Sequence, residues 1–225
     1  MPLQLIITAD GSHSLLNTEL NETYHSVHGA VRESLHVFIQ SGLQFLIDKQ
    51  NPTKIKLLEV GFGTGLNALL TLHHIFKSTL EIHYVSIEAF PIDLNIVNQF
   101  NYPLDIDFEE AKELFATIHS CAWNKPVTIL PNFILEKRQT TLQEINLSSE
   151  EFDLVYFDAF APNKQPEMWE LPIIIKIANA MKSQAVFVTY CAKGQLKRDL
   201  KSVGLTVETL PGPLGKREML RAVKL

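Results

Sequence analysis

The chain has 225 residues, 46% hydrophobic and 20% charged, with a formal net charge of −5, which fits one globular domain and argues against a general polyanion binder. No apolar run reaches the length of a bilayer span, and the opening "MPLQLIITADGS" lacks the basic start, long apolar stretch and cleavage site of a secretory signal. Cys121 and Cys191 stand far apart, outside any CxxC pair, so the expectation is reduced thiols in a cytoplasmic protein.

The first element in chain order is an expected small hairpin within residues 1–30, turning at Asp10-Gly11 and treated as an extension of a single 1–225 domain. "IKLLEV" (Ile55–Val60) is a compact apolar run ending in glycines, as a buried parallel strand should be. Gly65–Phe76 then shows apolar residues at helical spacing, and Ile82–Phe90 reads as a second strand. Val127–Lys137 reads as one or two strands with a kink at Pro131. Phe152–Phe160 is the next strand, Pro166–Lys182 the next helix, and Gln184–Ala192 a further strand. Gly194–Gly204 predicts a short helix closed by glycine. "LTVETL" and "REMLRAVKL" flank the loop "PGPLGK" and predict a terminal antiparallel pair. Strands separated by helices imply an α/β domain with a mainly parallel, doubly wound sheet.

Ligands of such a sheet sit beyond the carboxyl ends of the strands. Gly61, Gly63 and Gly65 leave the first of these strands there and enter a helix whose free N–H groups favour a carboxylate or phosphate. The expectation is that the missing β-carbons let a ligand approach the main chain. Glu88, at the end of the next strand, can accept from both hydroxyls of a ribose. Asp158 would face the same crevice, followed by "AFAPNKQPEMW", an apolar stretch whose two prolines and Phe160 suit a rigid lip against a planar base or amine. Trp169 reads as core filling.

The pattern "EVGFGTG" is spaced unlike the dinucleotide fingerprint and resembles the first motif of class I S-adenosylmethionine-dependent methyltransferases. With "NETYHSVHGAVRESLHVFI", "SIEAFP", "YFDAFAPNKQPEMW" and "GPLGKREML", nearly the whole chain resembles a narrower family. That family is the methyltransferase half of the bifunctional tRNA 5-methylaminomethyl-2-thiouridine biosynthesis protein and its free-standing relatives. The resemblance implies a Rossmann-like, mainly parallel seven-stranded sheet with a terminal antiparallel pair and a small N-terminal extension. It implies S-adenosylmethionine as methyl donor and, as acceptor, the aminomethyl group of a wobble-position 2-thiouridine of tRNA. On that basis Glu59, Gly61, Phe62, Gly63, Thr64, Gly65 and Asn67 would bind the donor, with Glu88 on its ribose and Phe90 near its adenine. Asp158 and Phe160 would face the reacting amine, Asp158 also touching the donor, and Pro162, Lys164, Lys216 and Arg217 would contact the substrate. Tyr24, Arg32 and Glu33 would line the donor pocket.

The bifunctional relatives also carry an FAD-dependent oxidoreductase domain, so the expectation is a separate protein supplying the free amine. An adenine-recognising acid is not evident; Lys137, Arg138 and Gln139 stand near its expected place. The basic region from Lys193 to Arg221 permits local nucleic-acid contact, and within it Lys193 to Lys201 would be a solvated helix face or a tRNA-backbone contact. His25, His28 and His36 lack a cysteine partner, and no metal is expected. The alternatives are a methyltransferase for a small-molecule amine, an NAD-dependent oxidoreductase, and a catalytically silent donor-binding partner of an FAD enzyme.

Overall fold

The structure is a computed structural model that describes residues 2–102, 106 and 108–225; Met1, the first residue of the expected extension, lies outside them. The strands are β1 (Leu3–Ile7), β2 (His13–Asn17), β3 (Glu22–Thr23), β4 (Lys54–Val60), β5 (Glu81–Glu88), β6 (Pro126–Leu130), β7 (Phe133–Gln139), β8 (Phe152–Phe157), β9 (Met181–Thr189), β10 (Leu205–Pro211) and β11 (Glu218–Lys224). A first helix, α1, runs through Ala30–Ser34 and Phe45–Gln50 and widens to π-helical turns over Leu35–Gln44 between them. Among the described residues, α2 (Leu66–Ile75), α3 (Leu94–Val97), α4 (Ala111–Ser120), α5 (Leu171–Ala180) and α6 (Gly194–Ser202) follow. Among the described residues no helix is long and apolar enough to cross a membrane.

The main sheet has eight strands in the order β10-β11-β9-β8-β4-β5-β7-β6. Strands β4, β5, β7, β8 and β9 pair in parallel, while β11 joins β9, β10 joins β11 and β6 joins β7 antiparallel. The expected seven strands become eight because Val127–Lys137 folds as two: Pro131 lacks an N–H and cannot continue a ladder, so the chain turns there and β6 returns along the edge of β7. The helix expected over Pro166–Lys182 is also divided. A 3-10 turn covers Pro166–Trp169, Glu170 is extended, and α5 starts afresh with Pro172 in its first turn, where a missing N–H costs nothing. The N-terminal extension is a three-stranded antiparallel sheet in the order β1-β2-β3, one strand more than a hairpin. Its turn is held by Asp10, whose carboxylate accepts from Ser12 N at 3.1 Å.

Alternation along the parallel strands explains why helices cover both faces. Leu57, Tyr84, Tyr156 and Val188 pack toward α1 and α2, with Phe38, Leu43 and Leu69. Leu58, Val85, Val155 and Phe187 pack toward α5 and α6, with Ile174, Ile177 and Leu200. Between β7 and β8 the chain passes through Leu142–Ile145, where three carbonyls converge on one ammonium. Lys176 Nζ, on α5, donates to Leu142 O at 2.9 Å, Gln143 O at 2.7 Å and Ile145 O at 3.1 Å. Lys176→Met removes the charged donor and leaves the carbonyls without it. The expected result is a loss of about 1–3 kcal/mol in urea unfolding and faster amide exchange confined to residues 140–146.

Candidate active site

The site begins where three parallel strands end. Gly61 N donates to Ile87 O at 2.9 Å and Asp158 N donates to Val60 O at 3.0 Å, so the pairing of β4 with β5 and β8 continues past the regular ladder. Gly61 has φ +92°, and a β-carbon there would lie 2.6 Å from the carbonyl oxygen of Asp158. Gly65, at the start of α2, has φ +72°, and its β-carbon would lie 2.6 Å from His119 Nε2. At these two positions the chain's own backbone and ring exclude a side chain, whatever the ligand. The glycines at Gly61 and Gly65 are thus required by the fold itself, in addition to the close ligand approach expected of the loop.

A cavity of about 580 Å3 opens at these strand ends, within the range of small-molecule sites. Gly61, Phe62, Gly63, Thr64 and Asn67 form one wall. Phe62 is itself buried, its ring packed edge-on to His119 at 5.3 Å and Trp123 at 5.9 Å, which anchors the loop from behind. Glu88 closes the next side: its Oε2 accepts from Gly63 N at 3.0 Å and its Oε1 from Phe90 N at 2.8 Å. Each oxygen keeps a lone pair for a further donor. Phe90 stands at the mouth, 60% exposed, and residues 140–143 complete that end.

Asp158 lies at the middle of the floor. Its Oδ2 accepts from Asn67 Nδ2 at 2.8 Å. The surrounding protein pushes its carboxyl up to about 7, against the hydrogen bond from Asn67; Glu33 adds to the rise and Lys216 opposes it. Beyond Asp158, Phe160 meets Tyr24 edge-on at 5.0 Å. The lip is stiffened by Trp169 Nε1, which donates to Phe160 O at 2.7 Å, and by Tyr190 OH, which donates to Ala159 O at 2.8 Å. Lys216 reaches in from the β10–β11 loop, pairs with the buried carboxylate of Glu33 and lies 3.8 Å above the Tyr190 ring.

Gly61, Phe62, Gly63, Thr64, Asn67, Glu88, Phe90, Asp158, Phe160 and Lys216, all expected at the site, line this one cavity, as do Tyr24 and Glu33. Other expected residues fall elsewhere. Glu59 is fully buried behind the loop, on the core face of β4, and Gly65 is covered by His119. Pro162 and Lys164 lie outside the wall; Lys164 Nζ is spent on Leu20 O and Asn21 O, both at 2.9 Å, strapping the lip to the N-terminal sheet. Arg32 and Arg217 face solvent. Near the expected adenine position, Lys137 turns inward to donate to His119 O at 2.7 Å, and Gln139 lies outside the lining.

The basic C-terminal stretch is partly neutralised. Lys197 pairs with Glu218 at 3.0 Å and Arg221 with Glu208 at 2.6 Å, whereas Lys193, Lys201 and Arg217 are exposed. Among the described residues no three His, Cys, Asp or Glu side chains group as metal ligands. His25 instead lines the cavity, with Nδ1 3.1 Å from Ser14 Oγ, and burial pulls its imidazole down to about 4. His36 and His74 serve packing, each ring within 2.9 Å of a partner oxygen.

Sequence reasoning missed His25, Tyr190 and the 140–143 segment as cavity wall. Tyr190 follows β9, and the rule that ligands meet the carboxyl ends of parallel strands would have flagged it. His25 carried no such signal, because its place depends on how the N-terminal sheet docks.

Residues 131–225 match the family described as S-adenosyl-L-methionine-dependent methyltransferase. The tRNA 5-methylaminomethyl-2-thiouridine biosynthesis bifunctional protein MnmC of Campylobacter hominis is 30% identical over 215 residues, covering 92% of this chain and 31% of that protein. The protein of the same name from Pseudoalteromonas atlantica is 30% identical over 233 residues, covering 96% and 32%. The chain thus spans about a third of the length of these relatives. The structure of MNMC2 from Aquifex aeolicus superposes with a TM-score of 0.79 at 24% identity, covering 100% of this chain and 70% of that one. Spermidine synthase from Thermotoga maritima shares the fold at a TM-score of 0.53 and 15% identity, covering 98% and 72%. These likenesses support an MnmC-like, S-adenosylmethionine-dependent methyltransferase domain.

Proposed function

We propose that this chain methylates the aminomethyl group of 5-aminomethyl-2-thiouridine at the tRNA wobble position. The observation that carries the reading is the position of Asp158, between the glycine wall on one side and the aromatic lip of Phe160 and Tyr24 on the other. The relatives named for 5-methylaminomethyl-2-thiouridine biosynthesis support the choice of acceptor.

The lining fits the donor by charge. Among the described residues it carries Glu22, Glu33, Glu88, Asp158 and Glu167 against Lys216. That excess of carboxylates suits a ligand bearing a sulfonium and an ammonium, and it repels the pyrophosphate of a dinucleotide. The NAD-dependent reading is set aside on this ground. Bound there, S-adenosylmethionine supplies an electrophilic methyl group on sulfur. Glu88 would accept from the ribose hydroxyls, residues 140–142 and Phe90 would flank the adenine, and Gly61–Thr64 with Asn67 would hold the methionine end. Asp158 would accept an N–H of the acceptor amine and so aim its lone pair. Fixing both reactants at attack distance can supply roughly 7–11 kcal/mol of the barrier. Phe160, Tyr24 and Tyr190 surround that amine with apolar surface and favour its neutral form.

The exposed Lys193, Lys201 and Arg217 are the proposed phosphate contacts for the tRNA backbone. The free amine would come from an FAD-dependent oxidoreductase activity, and the whole reading carries with it a cytoplasmic location.

Three measurements test these assignments. Nucleoside analysis of tRNA from cells lacking the chain should show accumulation of the unmethylated aminomethyl nucleoside; unchanged wobble nucleosides would shift the acceptor to a small-molecule amine. Asp158→Asn should slow methyl transfer by about 10² or more while donor affinity, read by calorimetry, stays within about threefold. Equal losses in both would make Asp158 a donor-site residue. Gly63 has φ +48°, and a β-carbon there would stand 3.3 Å from the Tyr24 ring at the cavity wall. Gly63→Val should abolish measurable donor binding, and normal affinity in that variant would refute the cradle.

A further inference from the structure

The N-terminal sheet delivers to the cavity an imidazole that the glycine loop does not supply. His25, two residues past β3, lines the wall beside Thr64, which with Gly65 leads into α2. Its ring Nδ1 lies 3.1 Å from Ser14 Oγ on β2, and its backbone N–H donates to the same oxygen at 3.2 Å. Its Nε2 lies 3.5 Å from Thr64 Oγ1. Ser14 is 0% exposed and Thr64 2% exposed, so neither hydroxyl can turn to bulk water.

These contacts select the tautomer. Among the described residues Ser14 Oγ has two partners, both on His25: it accepts the backbone N–H, and its other neighbour is Nδ1. A proton on Nδ1 would leave the buried Ser14 hydroxyl with no acceptor for its own hydrogen. With Nδ1 bare, Ser14 donates to it, and the single ring proton sits on Nε2. Burial favours the same neutral ring, pulling the imidazole down to about 4; Glu33 and Asp10 oppose that shift and Lys216 adds to it. The Nε2–H and the Thr64 hydroxyl are then neighbours at a separation long for a hydrogen bond, and a ligand oxygen between them could accept from both.

The glycine amides of the loop are already spent. Gly61 N is bonded to Ile87 O at 2.9 Å, Gly63 N to Glu88 Oε2 at 3.0 Å and Gly65 N to Phe62 O at 2.8 Å. The Lys216 ammonium is paired with Glu33, whose Oε2 also accepts from Ser26 N at 2.7 Å. Elsewhere on the wall Glu88 and Asp158 repel a negative group. His25 and Thr64 offer uncharged N–H and O–H donors beside the amino end of α2, whose dipole attracts one. The donor carries such a group at its methionine end. We propose that His25, through Nε2–H, and Thr64, through its hydroxyl, together hold the carboxylate of S-adenosylmethionine. Ser14 is then a positioning residue, which acts by setting the tautomer of His25.

This assignment rests on the donor and not on the acceptor proposed above, and it is tested on the full chain by calorimetry. The two ligands are S-adenosylmethionine and its decarboxylated form, which keeps the adenosine, the sulfonium and the primary ammonium. His25→Phe retains a ring but lacks the N–H. It should weaken S-adenosylmethionine about tenfold or more, as expected for one hydrogen bond to a charged group, and change the decarboxylated form by less than about threefold. Thr64→Val, close to isosteric, should show the same selective loss, so the comparison stands even if His25→Phe does not fold. In the ligand-free wild type at pH 7, 1H–15N NMR should show a proton on Nε2 of His25 and none on Nδ1, with the ring assigned by its shift in Ser14→Ala. Equal losses for the two ligands, or a proton on Nδ1, would overturn the proposal. So would a preference for the carboxylate that survives His25→Phe and vanishes in Lys216→Met. Failure here leaves the tRNA assignment standing, and unchanged wobble nucleosides leave the carboxylate site standing.

Discussion

The close approach of the Gly61 backbone to its neighbours is the constraint on which the site depends. Its amide is bonded to Ile87 O, and the space a β-carbon would fill is occupied by the Asp158 carbonyl. The ends of β4, β5 and β8 are therefore locked side by side at sheet spacing, roughly 4.8 Å apart. Glu88 and Asp158 are each one strand away from the glycine loop as a direct result. Prying β8 from β4 to admit a side chain at Gly61 would move Asp158 relative to Asn67 and break their hydrogen bond. A site that must align three atoms for transfer is well served by strand ends that cannot shift independently.

The N-terminal sheet supplies the second wall, so it is part of the site and not an appendage. It brings Tyr24 and His25 to the cavity and leads into α1, which carries Glu33. Lys164 ties the sheet to the lip through Leu20 and Asn21, and Lys216 ties α1 to the β10–β11 loop through Glu33. Each ammonium draws together segments remote in sequence. His25, neutral because burial disfavours its charged form, sits between Ser14 and Thr64 and links this wall to the glycine loop. Loss of either strap would open the cavity to water, weakening every electrostatic contact inside it.

What the sequence disclosed follows from how local each signal is. Apolar runs ending in glycine mark buried parallel strands by themselves, and Glu88 and Asp158 were legible because strand ends are where such sheets bind. Glu59 was misread because an acid beside a glycine loop looks like a ligand contact. The alternation Leu57, Leu58, Glu59, Val60 puts it on the same face as Leu57, inside the core. Lys164 looked free for substrate, but its carbonyl partners lie 144 and 143 residues away, beyond any local pattern. Lys137 likewise turns inward because α4 and Trp123 offer a carbonyl and a ring face there. Strand faces are periodic and therefore readable; the docking of one segment on a distant one is not.

Charge sets the order of events in the proposed reaction. An aminomethyl group resembling a lysine amine has a pKa of about 10.4, roughly three units above Asp158, so handing its proton to Asp158 costs about 4–5 kcal/mol. Three features reduce that cost: the aromatic lip disfavours an ammonium, the donor's sulfonium repels one, and Lys216 adds a further positive charge. The carboxylate of Asp158 pulls the other way. Its value lies in direction, since it accepts one N–H and leaves the lone pair pointing at the methyl group, and an acid held neutral at that position could donate to the lone pair and block it. The site therefore favours an anionic Asp158 during transfer.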